Sequence, residues 1–239
     1  GYNPAIITRG YKSGHEQKLQ FLHDGLTQNS VGDEANMMSE ICRCPIGVGA
    51  DRVASATQIL EQFPETDVIL SDDGLQHYAL RRDIEIAVCR FLSLGNGLML
   101  PAGPLREPRS RLQRVDITIN RDSDQVIESL GEVWNLLQPE KKKHISDFQG
   151  RQGHALAGIG FPEIFFGSLA QMGIDIIEHE FPDHHEFNAH ELNLKPELPI
   201  LVTHKDAVKL KGIARDNVWV VPLNIELSEE LSNQILQLL

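Results

Sequence analysis

Cysteine is scarce: Cys42, Cys44 and Cys89 are the three in the chain. An odd count without metal-ligand spacing argues against a disulfide scaffold and a zinc site, and suits a reducing compartment. No apolar run approaches the roughly 18–20 residues of a membrane span, and the first residues lack a secretory pattern. Positive charge is in deficit. With 22 Lys and Arg against 34 Asp and Glu, the formal net charge is −12, which makes the chain a poor candidate for tracking nucleic acid. Internal repeats and low-complexity segments are absent as well.

What is present is ordinary globular material: 239 residues, 41% hydrophobic and 23% charged, enough for one large domain or two modest ones. Ala5-Ile6-Ile7-Thr8, Ile46-Gly47-Val48, Asp67-Val68-Ile69-Leu70, Ile84 to Cys89 and Val115 to Asn120 read as strands. Asp67 to Leu70 is expected to be a buried strand covered on both faces. Residues 31–40 read as a helix. So does 53–63, with Val53, Ala56, Leu60 and Phe63 on one face, and so does 124–137, with Val126, Leu130, Val133 and Leu137 spaced for one buried stripe. Residues 12–30 are polar and irregular. Pro139-Glu140-Lys141-Lys142-Lys143 reads as a solvated helix end, and Gly150-Arg151-Gln152-Gly153 as a linker. Beyond it the alternation restarts: strands at 155–157, 174–181, 200–203 and 218–221, a helix from Pro162, and a last helix from Ser228. The pattern predicts an α/β fold with a mostly parallel sheet flanked by helices and a second, smaller α/β domain, divided as 1–149 and 150–239.

Five polar clusters fall at element ends. Asp33 and Glu34 open a helix, where acids also serve simply as caps. Asp51-Arg52 follows a glycine turn. Asp72-Asp73 stands at the carboxyl end of a strand, where α/β proteins place ligands; paired acids there suit Mg²⁺, and equally an Asx-type turn. Arg106-Glu107 sits between prolines in a loop of fixed shape. Asp183-His184-His185-Glu186 offers a metal site or an acid/base pair. Together these supply metal ligands, a base with an orienting partner, and fixed cations, the parts that phosphoryl transfer needs.

The ordered set of motifs resembles the tetraacyldisaccharide 4′-kinase family. The matching stretches are Ile7-Thr8-Arg9-Gly10-Tyr11, Val31-Gly32-Asp33-Glu34, Ser71-Asp72-Asp73-Gly74-Leu75-Gln76-His77, Gly95-Asn96-Gly97 with Leu100 to Glu107, Leu156-Ala157-Gly158-Ile159-Gly160, Pro182-Asp183-His184 and Thr203 to Lys209. The resemblance implies a P-loop kinase-like core using ATP and Mg²⁺ to phosphorylate the 4′-hydroxyl of the disaccharide precursor of lipid A, at the cytoplasmic face of the bacterial inner membrane. It implies Asp33 as catalytic base paired with His184, and Asp72 and Asp73, with Glu107, at the metal. Arg52 and Arg106 are implied on phosphate charge, and Lys205 and Asp206 as nucleotide contacts.

Departures from the family pattern accompany it. The Gly-rich loop ending in Gly-Lys-Thr is absent from these residues, so the expectation is an N-terminally incomplete core, without its membrane-associated segment, that binds ATP weakly or not at all. Ala35 stands for a usual proline, Lys12 for a glycine and His204 for a glutamate, and no acid lies beside Cys89-Arg90. Two other readings compete. A metal-dependent hydrolase built on Asp72, Asp73, His184 and His185 predicts tight divalent-metal binding without nucleotide. A non-catalytic remnant of the kinase predicts no ATP binding. Gly158-Ile159-Gly160 lacks a third glycine at the dinucleotide spacing, Glu163 standing there.

Overall fold

A computed structural model describes residues 1–10, 19–23, 31–90 and 94–239. Tyr11, Lys12 and most of the stretch read as irregular lie outside the described residues. In chain order the elements are β1 (Pro4–Thr8), β2 (Gln20–Leu22), α1 (Asp33–Cys42), β3 (Ile46–Val48), α2 (Arg52–Gln62), β4 (Val68–Ser71), β5 (Ile86–Cys89), β6 (Ile117–Asn120), β7 (Val126–Leu130), β8 (Val133–Asn135), β9 (Lys142–Lys143), β10 (Gln152–Ala157), α3 (Pro162–Gln171), β11 (Asp175–Glu180), β12 (Ile200–Thr203), α4 (His204–Leu210), β13 (Val218–Val221), β14 (Leu223–Leu227) and α5 (Glu229–Leu238). No helix among the described residues is long and apolar enough to cross a membrane.

Two compact units emerge. One joins Gly1–Asp73 to Leu130–Leu223, and the other joins Gly74–Ser129 to Asn224–Leu239. Residue 150 falls within the first, between β9 and β10 of one sheet. The first unit holds a four-stranded sheet, ordered β2-β3-β1-β4, and a six-stranded sheet, ordered β11-β10-β12-β13-β8-β9. β1 runs parallel to both β3 and β4, and β10 to β13 are parallel throughout. The α/β class with mostly parallel sheets is therefore as expected. Interior strands read as unbroken apolar runs because both faces are covered: all four residues of β12 and of β13 are buried. One core of the six-stranded sheet gathers Phe148, Phe165, Leu169 and Trp219, and the other Leu156, Leu192, Val202 and Leu210. In the second unit, β5 pairs with β6 in parallel and β7 with β14, over a core of Ile117, Ile119, Val126 and Leu231. Ser228 caps α5 as its sequence suggests, accepting from Leu231 N at 3.2 Å.

Several local expectations are corrected. Residues 124–137 form β7 and β8 rather than a helix. β-branched Val126, Ile127 and Val133 favour strands, and Gly131, tied to Pro222 O at 2.8 Å, separates the two runs. The apolar stripe of α2 is not its covered face. Val53 and Leu60 are 42% and 48% exposed, whereas Arg52, Ser55 and Ile59 are buried. Burial of that face is tolerable because Ser55 Oγ donates to Asp51 O and Arg52 donates to two carbonyls. β4 is an edge of its sheet among the described residues, with Leu70 53% exposed, rather than a strand covered on both sides. An apolar β-branched run makes a strand wherever an edge accepts it, and what packs beyond decides its burial. Lys142 and Lys143 form β9, and Lys143 Nζ lies 4.3 Å from the Trp219 ring centroid, a cation–π contact rather than a solvated helix end. Gln152 and Gly153 belong to β10, leaving Gly150 (φ 70°) as the turn.

Candidate active site

The site is built where α1, the loop after β11 and α4 meet within the first unit. Gly32 precedes α1 at φ 89°, a conformation that suits glycine, and this turn delivers Asp33 and Glu34 into the first helical turn, near the positive end of the helix dipole. Asp33 Oδ1 accepts from Glu34 N at 3.1 Å. Asp33 Oδ2 faces an imidazole and an ammonium: His184 Nδ1 at 3.4 Å and Lys209 Nζ at 3.3 Å. The His184 and Asp33 side chains are 14% and 12% exposed. Burial pushes the Asp33 carboxyl up, but the charges of Lys209, Lys205 and His184 together outweigh it and hold it below the ordinary carboxylate value.

His184 sits at φ 61°, in the left-handed region that costs a non-glycine residue of order 1–2 kcal/mol. The turn is held by His184 N donating to Gly158 O at 3.2 Å and to Asp183 Oδ1 at 3.0 Å. Strain kept at a residue facing a carboxylate is the pattern of a functional site. Asp183 Oδ2 lies 3.5 Å from His184 Nε2. His185 turns elsewhere: its Nε2 meets Glu191 Oε1 at 2.9 Å and its ring stacks on Phe181. Among the described residues no three His, Cys, Asp or Glu side chains gather around a metal-sized gap, so the hydrolase set of Asp72, Asp73, His184 and His185 is not assembled.

α4 supplies the remaining charges. Lys205 Nζ donates to Glu34 Oε1 at 2.9 Å and to Asp183 Oδ1 at 3.3 Å. Asp206 is fully buried, and its carboxylate accepts from Thr203 Oγ1, Gly158 N and Lys209 Nζ. The nucleotide contact expected of Asp206 has no exposed atom to make it. Sequence pattern by itself assigns Lys209 no role in the site. The signal was there: Lys205 and Lys209 are four apart, one helical face, and Thr203 to Asp206 has the spacing of a helix-start capping pair.

A second cluster stands at the end of β4. Asp72 Oδ2 accepts from Thr8 Oγ1 at 2.9 Å, and Asp73, at φ 47°, is exposed. Arg52, 3% exposed, donates from Nη1 to Gly49 O at 2.8 Å and from Nη2 to Asp72 O at 3.1 Å. Burial lowers its pKa, and the nearby Asp72 and Asp73 charges oppose that. In the second unit Glu107 accepts from Gln76 at 2.7 Å and lies 3.3 Å from Arg111 Nε; the Gln76 hydrogen bond leads in holding its carboxyl low. Arg106 is exposed on the same loop. The structure thus gathers Asp33, His184, Lys205 and Asp206 in one cluster and Arg52, Asp72 and Asp73 in another.

The class this defines is an α/β protein with a carboxylate–histidine pair at a helix start and an acidic strand end in the same unit. A family profile described as tetraacyldisaccharide-1-P 4′-kinase matches residues 1–239. A tetraacyldisaccharide 4′-kinase of Azoarcus sp. (strain BH72) is 41% identical over 249 residues, covering 99% of this chain and 73% of its own. One from Nitrosococcus oceani is 42% identical over 249 residues, covering 100% and 72%. The crystal structure of LpxK from Aquifex aeolicus in complex with ATP superposes with a TM-score of 0.79 at 24% identity, over 99% of this chain and 79% of that one, and shows the same fold. The chain belongs to the tetraacyldisaccharide-1-P 4′-kinase family.

Proposed function

We infer that this chain is an ATP-dependent lipid kinase that phosphorylates the 4′-hydroxyl of the tetraacyldisaccharide 1-phosphate precursor of lipid A. The observation that carries the reading is Asp33 Oδ2 facing His184 Nδ1 at 3.4 Å, in a chain matched by the family along its whole length. In the reaction, the hydroxyl oxygen bonds to the γ-phosphorus and the bond to the bridging oxygen breaks. ADP leaves with that electron pair, and the hydroxyl proton passes to Asp33. A carboxylate of low pKa is a weak base by itself, and the imidazole beside it is positioned as a second acceptor for the proton. Asp183 Oδ2 on the far ring nitrogen stabilises the imidazolium so formed.

Asp72 and Asp73 fit Mg²⁺, which takes one or two carboxylates with phosphate and water oxygens; the Thr8 hydroxyl orients Asp72. When bound, the ion neutralises phosphate charge. Arg52 acts by holding the turn that carries Asp72, and Lys205 by holding Glu34 and Asp183. Residues 1–149 then contribute the base and the metal acids, and residues 150–239 contribute His184 and the α4 lysines. The lipid substrate places the work at a membrane surface, the cytoplasmic face of the inner membrane, with no part for nucleic acid.

The test is a double-mutant cycle in the intact enzyme with ATP and the lipid acceptor. Asp33→Ala and His184→Ala each lower kcat about 10²–10⁴-fold with KM little changed, and the double variant is barely worse than either. Additive losses would remove the pair from the mechanism.

A further inference from the structure

A buried carboxylate needs a reason. Asp206 is fully buried, and its two oxygens are divided. Oδ2 accepts from Thr203 Oγ1 at 2.7 Å and Gly158 N at 3.0 Å, and Oδ1 accepts from Lys209 Nζ at 3.0 Å. Removing a charge from water is costly, and such pairs persist where geometry matters. Here the product of that cost is a fixed ammonium. Lys209 Nζ meets Asp206 Oδ1, Asp33 Oδ2 at 3.3 Å and Gly158 O at 3.4 Å, whereas a lysine on its four-carbon stem otherwise samples many positions. The same Gly158 carbonyl accepts from His184 N, so one backbone unit indexes both partners of Asp33.

We propose that Lys209, anchored by Asp206, is a positioning residue that turns Asp33 Oδ2 toward His184. The proposal rests on Asp33 being the base. The charged groups around Asp33 are Lys209 and Asp206 on α4, Lys205 on the same helix paired with Glu34, Glu34 on α1, and His184 with Asp183 on the loop after β11. Lys205 is engaged with Glu34 and Asp183; Lys209 lies 3.3 Å from Asp33 itself. An ammonium at that distance also opposes a proton resting on Asp33, and so drives it on to the imidazole. Consistent with this, Lys209 leads the charges that hold the Asp33 carboxyl low against its burial.

The experiment follows the Asp33 carboxyl carbon by NMR through an acid titration of the full chain, alongside kcat against pH. Lys209→Met raises the titration midpoint of Asp33 and lowers kcat about 10²-fold with KM little changed, the scale of a misplaced reacting group. Lys209→Arg keeps the midpoint low and recovers part of kcat. Where Lys209→Met does not fold, Thr203→Val, which loosens Asp206, moves the midpoint in the same direction. An unmoved Asp33 midpoint in the folded variant overturns the proposal. Unchanged turnover in Asp33→Asn overturns the base reading instead, and the NMR midpoint separates the two failures.

Discussion

Arg52→Met separates two roles for a buried arginine. If its guanidinium serves phosphate, the substitution lowers turnover and spares stability. The structure argues the reverse. Arg52 is 3% exposed, and its two terminal nitrogens are spent on the carbonyls of Gly49 and Asp72, joining the β3–α2 turn to the end of β4. Hydrogen bonds from a charged donor contribute about 1.5–3 kcal/mol each, so two are worth about 3–6 kcal/mol gross. Methionine relieves the burial of a charge, which returns part of that, but leaves two carbonyls without their donor. The expected net loss is about 2–4 kcal/mol in urea denaturation. Arg52→Lys keeps the charge but has no planar fork to span both carbonyls, so it recovers less than half. Turnover falls in both variants through the displaced Asp72. A stability loss below about 1 kcal/mol in Arg52→Met, with turnover abolished, would refute the reasoning and return the guanidinium to the phosphate.

Two further perturbations test other parts of the fold. His154 Nδ1 meets His179 Nε2 at 3.0 Å, and both rings are held below the ordinary histidine value: His154 by burial, then by the nearby His179 and Lys195, and His179 by burial. The unfolded chain therefore takes up these protons first. The stability that the neutral pair contributes is complete above about pH 6.5 and is lost as pH falls from there through the depressed folded values. Melting curves from pH 7.5 to 5.5 are expected to fall less steeply in the His154→Phe, His179→Phe double variant, and an unchanged slope counts against the pair. In the loop that carries Arg106 and Glu107, a Cβ at Gly103 would overlap Asn96 Oδ1 and the Leu98 carbonyl. Gly103→Ala is expected to cost about 1–3 kcal/mol and to lower turnover, read together by thermal melting and kinase assay.

Much of this protein was settled by local pattern. The runs Ala5 to Thr8, Ile200 to Thr203 and Val218 to Val221 are strands because β-branched residues suit a pleated surface, and they are buried in the structure. Gly32 before two acids marked the start of α1, Ser228 the cap of α5, and the order of the motifs identified the family. The pairing of Asp33 with His184 came from that resemblance, since local pattern carries no distance between residues so far apart. Tertiary packing decided the rest. It chose the Arg52, Ser55 and Ile59 face of α2 over the apolar stripe, made strands of Val126 to Asn135, and set Leu70 on an edge. It alone set Lys209 between the buried Asp206 and Asp33, because such contacts depend on burial and on partners brought from other segments. Periodicity says which residues share a face; only the assembled chain says what covers that face and which charges meet across it.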